Sequence, residues 1–283
     1  MEKFEDGLES TRLQKLVFLL TQMQKKPNYD FVPYRYGCYS YSLKADLQAM
    51  VKHDWLTTKD KSYGLNTKKK YFNELTASDQ KLVDETFERY GGMKTDVITK
   101  HTYINFPYYA TNSSIAEKIL PERLYKRVIE ARPNEEATVL FTIGYEGISL
   151  EEYLNRLIKN NVKLLVDVRR NPLSQKYGFS KKLLSGFCNR LGIEYIHIPE
   201  VGIDSSKRRE LNNQADYDVL FDEYKATVLK ETTENQTQIL ALLKKHKRIA
   251  LTCFEADTCQ CHRTHLAEKL KTSPVFKYEL KHI

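Results

Sequence analysis

No run of apolar residues in the 283-residue chain is long enough to span a bilayer, so a helical membrane protein is excluded and no membrane partner is expected. The opening residues, MEKFEDGLES, lack the basic start and apolar core of a secretory signal and are too acidic and polar to act as one. Cysteine is sparse and, at five, odd in number, which rules out a fully paired disulfide framework and points to reduced thiols in a cytoplasmic protein. No staple is needed either, because a chain of this length holds two ordinary domains, each able to bury a core. A tail of one charge sign is also missing. Basic residues exceed acidic ones by 45 − 37 = 8, and the excess is spread over both halves. Such a balance favours an anionic partner, nucleic acid above all, without demanding one.

A polar, proline-containing stretch at 131–137 (ARPNEEA) divides the chain into a domain at 1–130, a linker at 131–137 and a domain at 138–283. In the first domain Leu13, Leu16, Val17, Phe18, Leu19 and Leu20 make a wide helical stripe, and Leu43, Leu47, Met50 and Val51 make a second. Between them Pro33 and Gly37 punctuate a turn, and Ser40 or Ser42 is placed to cap the second helix. The segment DWLTTKDKSYGLN reads as a hairpin-like wing. A mainly helical, winged-helix-like domain is therefore expected, a shape that presents a surface to DNA or to another protein.

The segments LQKLVFLL, DFVPYRYGCYSYSLKADLQAMVKHDWL and HTYINFPYYATNSSIA carry a resemblance. They resemble the Panacea or SocA-like antitoxin-related domain, whose pattern joins an LQKLL-type helix, a G-P-Y-S-type turn and a late Tyr-Pro motif. Cys38 stands where that family usually has proline. The resemblance implies an interaction module of toxin-antitoxin and phage-conflict systems, with a protein partner held through residues 1–130.

The second domain has another rhythm. ATVLFTIGYEG, VKLLVDVRRNP, EYIHIPEVG and RIALTCFEA read as strands, alternating with the helices SLEEYLNRLIKNN, FSKKLLSGFCNRLGI, QTQILALLKKH and CHRTHLAEKL. That alternation predicts a Rossmann-like α/β domain with a mostly parallel sheet and with reactive groups at the carboxyl ends of its strands. The strand exits then bring together Glu146, Asp167, Arg169, Arg170, Glu200, Cys253 and Glu255, with Cys261, His262 and Arg263 at the start of the last helix. Carboxylates gathered at one edge need partners, and the start of a helix favours an anion. Lys176, Lys181 and Lys182 alternate with Tyr177 and Phe179 in a mixture that suits phosphates and bases, and suits a folded-in loop equally.

TIGYEG, LLVDVRRNPLSQKYGFSKKLL, IEYIHIPEVG and LTCFEADTCQCHR resemble the family known as domain of unknown function 488. Carried over residue by residue, the resemblance implies site positions at Tyr145 and Glu146; Asp167, Arg169, Pro172 and Ser174; Glu200 and Gly202; and Cys253, Glu255, Cys261, His262 and Arg263.

The favoured chemistry is hydrolysis of a glycosidic or phosphodiester bond in DNA, with modified bases as candidate targets, in a bacterial defence or conflict system. Asp167 or Glu255 serves as general base or stabiliser, with Glu146 and Cys261 as further catalytic candidates. Arg169 and Arg263 hold phosphate, Tyr145 stacks on a base, and Arg170, Ser174, Lys181, Glu200, Cys253 and His262 complete the substrate contacts. Three rivals stay open: a Mg²⁺-dependent hydrolase with Glu146, Asp167 and Glu255 as ligands, an enzyme dependent on the thiol of Cys253 or Cys261, and a non-catalytic binding protein. No resident cofactor is expected. Zinc is disfavoured because C-x5-C-x-C-H-x2-H lacks knuckle spacing and, with Cys259 outside the family pattern, leaves two sulfurs and a histidine.

Overall fold

The computed structural model describes residues 1–4, 6–204, 211 and 213–283. Part of the polar segment that follows Gly202, residues 205–210 and 212, lies outside the described residues. The chain divides into two compact units, Met1–Arg132 and Pro133–Ile283.

The first unit begins with β1 (Leu8–Glu9) and α1 (Ser10–Thr21), followed by β2 (Val32–Tyr34), β3 (Gly37–Tyr39) and α2 (Tyr41–Lys52). Then come β4 (Leu56–Lys59), β5 (Ser62–Leu65), α3 (Ala77–Tyr90), α4 (Thr95–Asn105), α5 (Ala116–Ile119) and α6 (Glu122–Glu130). The hairpin expected from DWLTTKDKSYGLN is β4–β5, and β1 joins it as a third antiparallel strand. Leu13, Leu16, Phe18 and Leu19 of α1 are buried with Leu43 and Leu47 of α2, as the helical spacing requires. Of the two candidate caps, Ser40 accepts the Leu43 N–H at 3.2 Å. Two polar side chains of α1 hold the turn beside it: Gln14 exchanges hydrogen bonds with the Ser40 backbone, and the buried Lys15 ammonium donates to the Cys38 carbonyl at 2.8 Å.

The second unit runs β6 (Val139–Gly144), α7 (Leu150–Lys159), β7 (Leu164–Asp167), α8 (Lys181–Arg190), β8 (Glu194–His197), α9 (Gln214–Ala226) and α10 (Val228–Glu231). It ends with α11 (Thr233–His246), β9 (Arg248–Cys253), α12 (His262–Lys271) and β10 (Glu279–His282). It is an α/β unit whose strands lie parallel in the order β10-β6-β9-β7-β8. Strands β6, β7 and β9 are buried along their whole length, which explains why their sequences are continuous apolar runs rather than alternating ones. The strand β10 was not expected from the sequence. It pairs with β6 alone and is half exposed and polar, so it lacks an apolar signature.

The strand order decides where the site forms. The chain passes from β6 to β7 and β8, then returns to insert β9 between β6 and β7. In register, Gly144 stands beside Cys253 and Asp167 beside Thr252, so three strand exits open side by side.

Candidate active site

Tyr145, Arg169, Arg170, Ser174, Cys253 and His262 line one cleft of about 280 Å³ at these exits, together with Asn171, Leu173, Ile203 and Phe254. Among the described residues, no carboxylate is in that lining. Of the acidic residues predicted at the edge, Glu146, Asp167 and Glu255 are hydrogen-bonded to neighbouring groups, and Glu200 lines a neighbouring cleft.

Asp167 is fully buried. Its Oδ1 accepts the Arg169 backbone N–H at 3.1 Å and Nε–H at 2.8 Å, and its Oδ2 accepts Arg169 Nη2–H and the Tyr195 hydroxyl, both at 2.5 Å. A carboxylate with four donors and no solvent contact orients its partner rather than abstracting a proton, and this argues against the general-base role considered for it. Arg169 spends its remaining fork on the Tyr145 hydroxyl at 2.7 Å and the Phe179 carbonyl at 2.9 Å. Burial works against the Arg169 charge, but Asp167 and then Tyr145 outweigh it and raise its pKa above the ordinary value. The Tyr145 phenol is raised by burial, with Arg169 and Ser174 opposing. Its ring lies flat on Phe179 at 4.2 Å and 9°, so one of its two faces is already covered.

Glu146 is exposed and ties the loop after β6 to the loop after β9 by accepting the Ala256 N–H at 2.9 Å. The Tyr145 and Glu146 amides both donate to the Phe254 carbonyl, at 3.0 and 2.9 Å. A side chain at Gly144 would collide with the Glu255 carbonyl, so only glycine allows the two loops to close together. Gly202 serves the same purpose on the other side, where a Cβ would meet the Arg170 amide and the Val168 carbonyl. Glu200 lines a neighbouring cleft of about 350 Å³, and Arg170 borders both clefts.

Two assigned cations are engaged differently from what was expected. Arg263 is buried at the start of α12, where its Nη1 donates to the Glu255 carbonyl and its Nη2 to the Ala256 carbonyl; it braces the loop and does not line the cleft. Lys181 is outside the lining and donates to His197 Nδ1 at 3.0 Å, while His197 Nε2–H donates to the Arg169 carbonyl at 2.8 Å.

Cys253 ends β9, and the loop 254–261 returns to place Cys261 at the N-cap of α12 and His262 in its first turn. Cys253 Sγ lies 3.0 Å from Glu255 Oε2 and 3.4 Å from His262 Nδ1, and Cys261 Sγ lies 3.0 Å from the same Glu255 oxygen. The donor atoms of all four residues fall within 4.8 Å of one another. Counting sulfurs and histidines along the chain left out Glu255, the fourth donor. Neither Glu146 nor Asp167 stands in this group, so the proposed Mg²⁺ triad is not assembled. Cys261, a catalytic candidate, is fully buried and outside the cleft lining, whereas Cys253, assigned to substrate contact, is in it. Burial pushes the Cys261 thiol well above its usual pKa, and the adjacent Cys253 and Glu255 push it further.

Tyr195 and His197, which hold Asp167 and Arg169, were not identified from the sequence. The signal was present: they sit two apart at the end of a strand and so share a face. No curated protein and no solved structure matches the chain. Residues 149–270 match the family model described as Domain of unknown function DUF488, a range that holds Arg169, Arg170, Ser174, Cys253 and His262 of the cleft and begins just after Tyr145 and Glu146.

Proposed function

We propose that the Pro133–Ile283 unit is a hydrolase of a Rossmann-like class acting on a phosphate-bearing unit of nucleic acid, at a glycosidic or phosphodiester bond. The observation that carries this is the composition of the cleft, which among the described residues has two guanidiniums and no carboxylate in its lining. A volume near the lower end of ligand clefts, about 300 Å³, suits a single nucleotide turned into the site rather than a stretch of duplex. Arg170 is the exposed fork that meets the phosphate, and Arg169, locked by Asp167, presents a fixed positive edge behind it. Glu255 is half buried beside the cleft-lining thiol of Cys253 and accepts from it at 3.0 Å.

A thiol-dependent reaction is the second reading, favoured by the His262 nitrogen 3.4 Å from Cys253 Sγ. The first unit is read as a winged-helix-like, antitoxin-related interaction module of a defence system, supported by the β4–β5 hairpin with the exposed Trp55 at its base and Lys59 and Lys61 at its tip.

The experiment is a salt titration of binding to single- and double-stranded DNA and RNA, with cleavage products sought by mass spectrometry. Affinity should fall log-linearly with salt, and a thiol-alkylating reagent should stop turnover only under the second reading. No binding to any of these polymers at low salt refutes the nucleic-acid assignment.

A further inference from the structure

We infer that Cys253, Glu255, Cys261 and His262 form a binding site for one zinc-class divalent ion. The inference stands apart from the nucleic-acid reading, since it rests only on these four side chains and their surroundings.

The donor set comes first. Two thiols, an imidazole and a carboxylate are the ligand types that zinc takes, and a tetrahedral ion at its usual bond lengths separates neighbouring donor atoms by about 3.5–3.8 Å. The observed contacts of 3.0, 3.0 and 3.4 Å, and the 4.8 Å limit on every pair, bracket that geometry, so side-chain adjustments of a few tenths of an ångström admit the ion.

His262 supplies an independent indication. Its Nε2 lies 3.0 Å from the Val168 carbonyl, which can only accept, so Nε2 carries the proton and Nδ1 presents its lone pair toward Cys253. A metal-bound histidine is held the same way, with its far nitrogen donating to a backbone carbonyl that fixes tautomer and ring plane. Here the carbonyl belongs to the exit of β7 and the ring to α12, so the ligand is clamped between two elements.

Charge completes the case. Two thiol groups converge on the single oxygen Glu255 Oε2, at 3.0 Å each. Binding would release both protons to solvent and leave two thiolates and one carboxylate around a doubly positive ion. The remaining negative charge faces the guanidinium of Arg263, whose Nη1 donates to the carbonyl of Glu255 itself. Cys261 also sits at the N-terminal end of the ten-residue α12, where the free amides favour a thiolate. Cys259, exposed and outside the group, serves as the internal control.

The test uses the full chain, purified under reducing conditions without chelator. Elemental analysis should find one zinc per chain. After removal of zinc, Co²⁺ should give the intense visible bands of a tetrahedral site and a thiolate-to-cobalt charge-transfer band. Cys259→Ser should bind as the wild type does, while Cys261→Ser and the isosteric Glu255→Gln should weaken zinc binding at least tenfold, with circular dichroism checking each fold. The inference is overturned if the folded wild type takes up no zinc or cobalt, if the cobalt bands are weak and octahedral, or if folded Cys261→Ser binds with wild-type affinity. A Cys253–Cys261 disulfide in the reductant-purified protein would overturn it too.

Discussion

Replacing Asp167 with asparagine separates a structural role from a catalytic one. The carboxylate is fully buried and holds the buried Arg169 through its amide, its Nε–H and its Nη2–H, and it accepts the Tyr195 hydroxyl as well. Asparagine keeps the shape and one acceptor, but its amide N–H₂ faces Arg169 Nη2, donor against donor, and the guanidinium is left buried without a counter-charge. Removing one partner of such a pair costs about 3–5 kcal/mol, a large share of a folding stability of about 5–15 kcal/mol. For a unit of this size the melting temperature should drop by about 6–20 °C. Thermal unfolding followed by circular dichroism reads the shift, and hydrogen exchange with mass spectrometry should place the lost protection in β7, β8 and the 168–180 loop, with the Met1–Arg132 unit unchanged. The double variant Asp167→Asn/Arg169→Gln should recover part of the loss, because the orphaned charge is gone. A variant as stable as the wild type within about 0.5 kcal/mol, yet inactive, would refute the reasoning and restore Asp167 as a catalytic base.

Three further outcomes follow from the same geometry. Arg170→Ala should weaken polyanion binding and reduce the salt slope by about one unit, with the melting temperature unchanged, whereas Arg263→Leu should lower the melting temperature and leave the slope intact; equal effects on the slope would show that Arg263 reaches the ligand after all. Tyr195→Phe removes one hydrogen bond to a buried charge and should cost about 1.5–3 kcal/mol in unfolding experiments without altering ligand affinity. Gly144→Ala forces the backbone of the Glu255 loop outward, and hydrogen exchange at 254–256 should rise; unchanged exchange would mean that the two loops are not in contact in solution.

The parts legible in the sequence are those where one residue type answers to one physical demand. Val139–Gly144 and Arg248–Cys253 are buried on both faces and so appear as apolar runs, and Ser149 and Ser40 are caps because their hydroxyls accept the N–H three residues on. Glu279–His282 gave no such signal, because an exposed edge strand is chosen for polarity. The site followed the same division. Proximity of the strand exits came from the alternation of elements, but the job of each side chain depended on hydrogen bonds made across the sheet. Asp167 and Arg169 are near neighbours in sequence, yet it takes Tyr195 and His197 from another strand to fix them. The spacing of Cys253, Glu255, Cys261 and His262 matches no familiar ligand pattern because a strand end, a loop and a helix start each supply part of the set.

Which arginine is available to a ligand is decided by the backbone. Arg263 begins a helix, where sequence reasoning expects an anion, but the loop 254–261 turns its carbonyls inward there, and carbonyl oxygens at Glu255 and Ala256 claim the guanidinium first. That loop turns inward because Phe254 accepts two amides from Tyr145 and Glu146, and because Gly144 leaves room for it. The fold thus spends one arginine to brace the turn that carries Glu255 to both thiols. A second, Arg169, sets the cleft wall, and the exposed Arg170 is left on the lip. Ligand-directed change should therefore be tolerated at Arg170 and punished at the other two, for the physical reason that only Arg170 can be removed without leaving buried carbonyls or a buried carboxylate unpaired.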